Sequence, residues 1–230
     1  MLSEAEVEEM LAPMSADPWF GALGLDIRTA MLERCRRSRF VANQFVFRQG
    51  DAPTGLYGVV QGVLKASTLG ETGKEGVLAM LEPGNWFGEA SAVDGLPRSH
   101  DVAALSPVEA VVIEDSEFNR LMRVAGFAEA IARLQARHTR LMYAMIEDAT
   151  LRSTRSRIVR RLQRLARGDV TMAPVDRRVI HITHETLAMM LGITRQTLAL
   201  ELKEIEAAGA ISQSYRRITI SSMEILKSIE

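Results

Sequence analysis

Residues 183–205 read THETLAMMLGITRQTLALELKEI. Thr183 can cap a helix carrying Leu187, Ala188 and Leu191, and Gly192 permits a tight turn. Thr194 can then cap a second helix carrying Leu198, Leu202 and Ile205. Small Ala188 lets the two helices cross closely, and Ile193 plugs the corner between them. This is the helix-turn-helix pattern, whose second helix lies in a major groove with its N-terminal side chains on base edges. Arg195 and Gln196 open that helix. Arg can bond guanine O6 and N7 together, and Gln can do the same with adenine N6 and N7. The bland alternative is a three-helix packing unit. Against it, an Arg at a helix N-terminus opposes the macrodipole, so its place makes more sense if an anionic partner compensates.

Working outward, AISQSYRRITI (210–220) reads as strand, polar tip and strand, a wing that places Tyr215, Arg216 and Arg217 to meet phosphates. Upstream, LRSTRSR (151–157) reads as a hinge, followed by a helix that stops at Gly168. The polar stretch GDVTMAPVDRR (168–178) then leads to a short strand, VIHIT. Residues 151–230 carry 14 Lys/Arg against 8 Asp/Glu, a net of +6, whereas residues 1–150 carry 14 against 21, a net of −7. A basic third on an acidic body suggests a polyanion partner for that third only. A merely solvated arginine face would give the same count.

Residues 17–39 have the pattern of a helix running into the basic stretch RCRRSR. From about 40 to 115 the period changes to short Val-, Leu-, Phe- and Tyr-rich segments broken by Gly50-Asp51, Gly55, Gly62, Pro83-Gly84 and Gly95. Such strands and turns imply an antiparallel sandwich, barrel or jelly roll. After Ser116, residues Phe127, Ile131, Leu134, His138, Leu141, Met145 and Ala149 form an apolar stripe at heptad-like spacing. Packing on the chain's own β domain is one reading. A parallel dimer through residues 127–149, with His138 facing its mate, is the favoured one.

Within the β region, FGEASAVDGLPRSH (87–100) sets a Gly-Glu pair nine residues ahead of Arg-Ser. With FRQGD (47–51), PGNWFGE (83–89), GLPRS (95–99), LAMMLGITRQT (187–197) and EAAGAI (206–211), it resembles the CRP/FNR family of bacterial transcription regulators over about residues 17–225. The resemblance implies an α+β chain with an N-terminal β jelly roll of cyclic-nucleotide-binding type (17–125), a long dimerisation helix (126–151) and a C-terminal winged helix-turn-helix (152–230). It implies that Gly88, Glu89, Arg98 and Ser99 meet a cyclic phosphate and ribose, with cAMP or cGMP as the effector and no obligatory cofactor. His100 stands where Ala is common, and Met142 and Tyr143 fall where cAMP-responsive members carry small hydroxyl or amide residues. Leu200 replaces a second polar reader and could touch a thymine methyl. The DNA contacts so implied are Thr194, Arg195, Gln196, Leu200, Arg216 and Arg217, on a pseudo-palindromic operator, with RNA polymerase a further partner.

Other classes fit less well. A regulatory subunit without DNA binding would leave residues 183–220 unexplained. A cupin-type metalloenzyme needs clustered His and Glu ligands, but of His100, His138, His181 and His184 only the first falls in the β region. One cysteine, Cys35, excludes an intrachain disulfide and cannot alone hold an iron–sulfur cluster. A haem on His100 or His138 has no supporting motif, and no nucleophile–base set suggests an enzyme. No run approaches the roughly 18 apolar residues of a membrane span. The start MLSEAEVEEMLAPMSADP has neither the basic opening nor the apolar core of a signal peptide, so the expected location is the cytoplasm. Residues 1–16 carry no readable motif. A different small ligand, or none with Glu89 and Arg98 as a structural ion pair, remains open beside the cyclic nucleotide.

Overall fold

The computed structural model describes residues 1–171, 173 and 177–230. Part of the polar stretch read between 168 and 178 therefore lies outside the described residues. The chain folds as two compact units, residues 1–66 with 80–140 and residues 67–79 with 141–230. No helix among the described residues is long and apolar enough to cross a membrane.

The first unit opens with helices α1 (Glu4–Met14), α2 (Pro18–Gly21) and α3 (Leu25–Glu33). Along the chain, strands follow as β1 (Cys35–Phe40), β2 (Phe45–Phe47), β3 (Leu56–Gln61), β4 (Leu64–Leu69), β5 (Glu75–Leu81) and β6 (Trp86–Phe87), residues 67–79 of β4, β5 and the turn between them being grouped with the second unit. Then come α4 (Glu89–Asp94), β7 (Asp101–Ala104), β8 (Val108–Ile113), α5 (Asp115–Leu121) and the long α6 (Ala125–Leu151). Two four-stranded sheets, ordered β1-β8-β3-β6 and β2-β7-β4-β5, make the β domain.

Residues 1–16, silent in the sequence, belong to this unit. Ser3 and Glu6 form a reciprocal capping box at the start of α1. Val7, Met10 and Met14 are buried in one cluster with Trp19, Phe20, Trp86, Phe118, Phe127, Ile131 and Leu134. The Trp19 indole donates to the Ala130 carbonyl at 2.8 Å, tying α2 to α6.

Two expectations need correction. The basic stretch after residue 33 is not helical: Cys35–Phe40 is β1, paired antiparallel to β8 from Cys35 opposite Ile113 to Phe40 opposite Val108. The partner strand lies some seventy residues away, and alternation lets Arg37 meet Glu6, Glu9 and Glu109 at 3.1, 3.3 and 2.7 Å. The first part of the stripe expected to face a second copy is also buried within the chain. Phe127, Ile131 and Leu134 are at most 3% exposed within a single chain, so they pack on their own domain. Each such burial stabilises the fold by about 1.5–3 kcal/mol.

The second unit takes the end of α6 from Leu141, then α7 (Thr154–Ala166), β9 (Val179–His181), α8 (His184–Leu191), α9 (Arg195–Ala207), β10 (Ile211–Ser214), β11 (Arg217–Ile220) and α10 (Met223–Ser228). The β10-β11-β9 sheet is antiparallel. Ser153 caps α7, accepting from the Ser156 amide, so the break after α6 spans residues 152–153. Asp148 on α6 is 5% exposed and forms ion pairs with Arg164 and, at 2.6 Å, Arg160 across this break.

Candidate functional site

In the first unit the site grows from one turn. Gly88 precedes α4 with φ 87°, a left-handed conformation, and a Cβ there would sit 2.8 Å from Arg98 Nη1. The absence of a side chain lets the Arg98 guanidinium lie against the backbone. Nη1 donates to the Gly88 carbonyl at 2.8 Å, and Nη2 donates to the Gly55 carbonyl at 2.9 Å and to Thr54 Oγ1 at 3.3 Å. Cζ lies 4.3 Å from the Phe47 ring centre.

Arg98 is only 2% exposed, and among the described residues no carboxylate lies at ion-pair distance from it. Its buried Nε has no hydrogen-bond partner. Burial pulls its pKa below the usual arginine value. A cation surrounded by carbonyls and ring faces, with no anion, is incompletely compensated.

Glu89, the first residue of α4, is 6% exposed. It does not pair with Arg98, so the structural ion pair admitted by the sequence is not formed. Instead Glu89 Oε1 lies 2.7 Å from His138 Nδ1 on α6. His138 thus meets the cassette of its own chain, rather than standing free to face a mate. Ser99 is exposed, with Oγ 2.9 Å from His100 Nδ1. The His100 ring meets the Phe47 ring edge-on at 6.3 Å, and burial pushes its pKa below the ordinary histidine value. The structure therefore brings Gly88, Glu89, Arg98, Ser99 and His100 to one place. Met142 and Tyr143 lie one turn beyond His138 on α6, in the part assigned to the second unit, and are 56% and 69% exposed.

The second unit holds the helix expected from the sequence to read DNA, α9. Thr183 caps α8, Gly192 turns at φ 67°, and Thr194 caps α9 by accepting from the Thr197 amide. Leu198, Leu202 and Ile205 are buried, which leaves Arg195 and Gln196 exposed on the opposite face and Leu200 70% exposed. At the wing tip Tyr215 is 91% exposed and Arg216 takes φ 54°, while Arg217 Nε donates to Ser214 Oγ at 3.0 Å. The arginines of α7 are occupied internally. Arg155 bonds Glu201, Arg157 bonds the Leu191 carbonyl, Arg161 bonds both Asp169 and the Leu78 carbonyl, and Arg160 and Arg164 lie in ion pairs with Asp148. Much of the positive charge of α7 is thus engaged within the unit, whereas Arg195 on α9 and Arg216 and Arg217 at the wing are exposed.

Sequence reasoning missed the Thr54–Gly55 cradle, the Glu89–His138 contact and the Asp148 clamp. Each joins residues too far apart in the chain for any local pattern to show.

A β domain with a phosphate-type cassette, followed by a winged helix-turn-helix, defines the class as a ligand-binding module joined to a DNA-reading module. The family model of the cyclic nucleotide-binding domain matches residues 37–124, and that of the Crp-like helix-turn-helix domain matches residues 156–229. The chain belongs to the CRP/FNR family of transcription regulators. It is 26% identical over 199 residues to the CRP-like cAMP-activated global transcriptional regulator of Mycobacterium tuberculosis strain H37Rv, covering 86% of this chain and 89% of that protein. It is 25% identical over 217 residues to the cyclic AMP receptor protein of Thermus thermophilus, covering 94% and 98%. Among solved structures, FixK2 of Bradyrhizobium japonicum shares the fold with a TM-score of 0.76 at 14% identity, covering 85% of this chain and 97% of that one.

Proposed function

We propose that this regulator binds operator DNA as a homodimer under the control of a cyclic nucleotide, cAMP or cGMP, held in the β domain. The observation that carries the reading is Arg98, a guanidinium 2% exposed that lacks an anionic partner. A cyclic phosphate supplies the missing charge, exchanging with the carbonyls and reaching the unpartnered Nε. Glu89 would accept from a ribose hydroxyl in place of, or beside, His138, so ligand entry would act on α6 directly. The relatives named for cAMP support the same ligand class.

A second copy would cover a different face of α6 from the one first expected. Ala132, Ala136, Thr139, Tyr143, Ile146 and Thr150 follow each other at spacings of 4, 3, 4, 3 and 4, a heptad seam. Tyr143 and Ile146 are 69% and 58% exposed. Two reading helices presented this way fit half-sites about one turn of DNA apart. Reorientation would occur at the break between α6 and α7. Met142 and Tyr143 would meet the base, and their size distinguishes this protein's effector preference from that of members with small hydroxyls there.

Titration calorimetry with cAMP and with cGMP tests the ligand. Saturable binding by at least one is expected, and no heat from either at millimolar concentration would remove the cyclic-nucleotide reading.

A further inference from the structure

Asp17 precedes the matched nucleotide-binding region, which begins at residue 37, yet it is 4% exposed and both its carboxylate oxygens are engaged. Oδ1 accepts from the backbone amides of Trp19 at 2.8 Å and Phe20 at 3.3 Å, which is ordinary capping of α2. Asn or Ser would serve that purpose equally. The remaining contacts do something else. Oδ1 also lies 3.4 Å from Arg137 Nη1 on α6, and Oδ2 accepts from Asn85 Nδ2 at 3.0 Å.

Asn85 stands four residues before Glu89, in a loop pinned by several bonds. Its side-chain oxygen accepts from the Glu82 amide at 2.8 Å and its carbonyl from the Val59 amide at 2.9 Å. Gly84 lets this loop close on the N-terminal segment, since a Cβ there would lie 3.1 Å from Asp17 Cβ. On the other side, Arg137 immediately precedes His138, which reaches back to Glu89 at 2.7 Å. The contacts thus close a ring from the cassette loop through Asp17 to α6 and back to the cassette.

We propose that Asp17 is a positioning residue, coupling the loop before the ligand cassette to the turn of α6 that carries Arg137 and His138. The cassette and the helix then move as one piece. The consequence for ligand response rests on the function proposed above, whereas the coupling itself is a property of the ligand-free protein.

Hydrogen exchange on the full-length, ligand-free protein tests it. Asp17→Asn keeps the capping oxygen but loses both the charge that holds Arg137 and the second oxygen that accepts from Asn85. Arg137→Gln removes the other half, and Arg137→Lys retains the charge. Amides of residues 82–89 and 134–141 should lose protection together, by roughly tenfold, in Asp17→Asn and in Arg137→Gln. The double variant should be no worse than Asp17→Asn alone, and Arg137→Lys should restore part of the protection. The paired amides of β1 and β8 should be unaffected. Loss confined to residues 17–21, or additive losses in the double variant, would overturn the proposal. A parallel calorimetric titration with cAMP separates the two readings. If the wild type binds no cAMP, the ligand assignment fails, and the exchange pattern still decides the role of Asp17.

Discussion

The two candidate sites are built on opposite plans. In the first unit the candidate ligand-binding cation, Arg98, is buried and held by carbonyls from residues 55 and 88, with Phe47 beneath it. In the second unit Arg195 and Gln196 are exposed, with only the helix under them fixed, by the Thr194 cap and the buried Leu198, Leu202 and Ile205. A small ligand must be enclosed to gain affinity, so its site is desolvated in advance. A DNA groove is wide, and its reader needs a rigid platform with free side chains. Substitutions in the buried site should therefore act as all-or-none losses, whereas those on the exposed helix should act base by base.

The largest effect should come from Arg98→Ala. Truncating a buried, hydrogen-bonded charge costs about 2–5 kcal/mol, and calorimetry should show nucleotide binding lost. Arg98→Lys should fail as well, because an ammonium cannot span carbonyls on two separate loops. Survival of binding in the lysine variant would break the contrast between the two sites. Next, Arg195→Ala should weaken operator binding by about 1–3 kcal/mol and relax the preference at one base pair, read by anisotropy against a panel of operator variants. Thr194→Ala should lower thermal stability by about 1 kcal/mol through loss of the cap, without altering base preference. Smaller still, Arg216→Ala or Arg217→Ala should weaken all sequences alike and reduce the salt slope by about 1.

His100 supplies a pH effect in the buried site alone. Its folded pKa lies below the ordinary value of 6.5 because burial disfavours the imidazolium. The neutral ring is the one the fold accepts, so its contribution is fully present above about pH 6.5 and is lost as pH falls through the lower folded value. Thermal melts should therefore decline below pH 6.5, less steeply in His100→Gln. An identical pH slope in that variant would assign the decline elsewhere.

The same contrast explains what the sequence can show. The helix-turn-helix is legible because its signals are local: Thr183, Gly192 and Thr194 mark helix ends, and the apolar spacing marks the buried face. Gly88, Glu89, Arg98 and Ser99 are recognisable as a cassette by resemblance, but their partners are not. Thr54 and Gly55 lie more than forty residues from Arg98, and Glu89 and His138 are 49 residues apart. β1 looks helical in sequence because its basic residues hide a strand whose pairing to β8 is long-range. The seam proposed for α6 is hard to place because the helix has two apolar faces. Phe127, Ile131 and Leu134 look inward, and the smaller Ala132, Ala136 and Thr139 share the face of Tyr143 and Ile146. Hydrophobic size draws attention to the face that is buried within the chain.

The central claim is that the buried site controls the exposed one. It is tested most directly by operator affinity, measured by anisotropy with and without the nucleotide that calorimetry identifies, in the wild type and in Arg98→Ala. The account predicts a ligand-dependent change of about 5- to 150-fold in the wild type, corresponding to a coupling of about 1–3 kcal/mol, and none in the variant. Nucleotide that binds at Arg98 yet leaves wild-type operator affinity unchanged would contradict it.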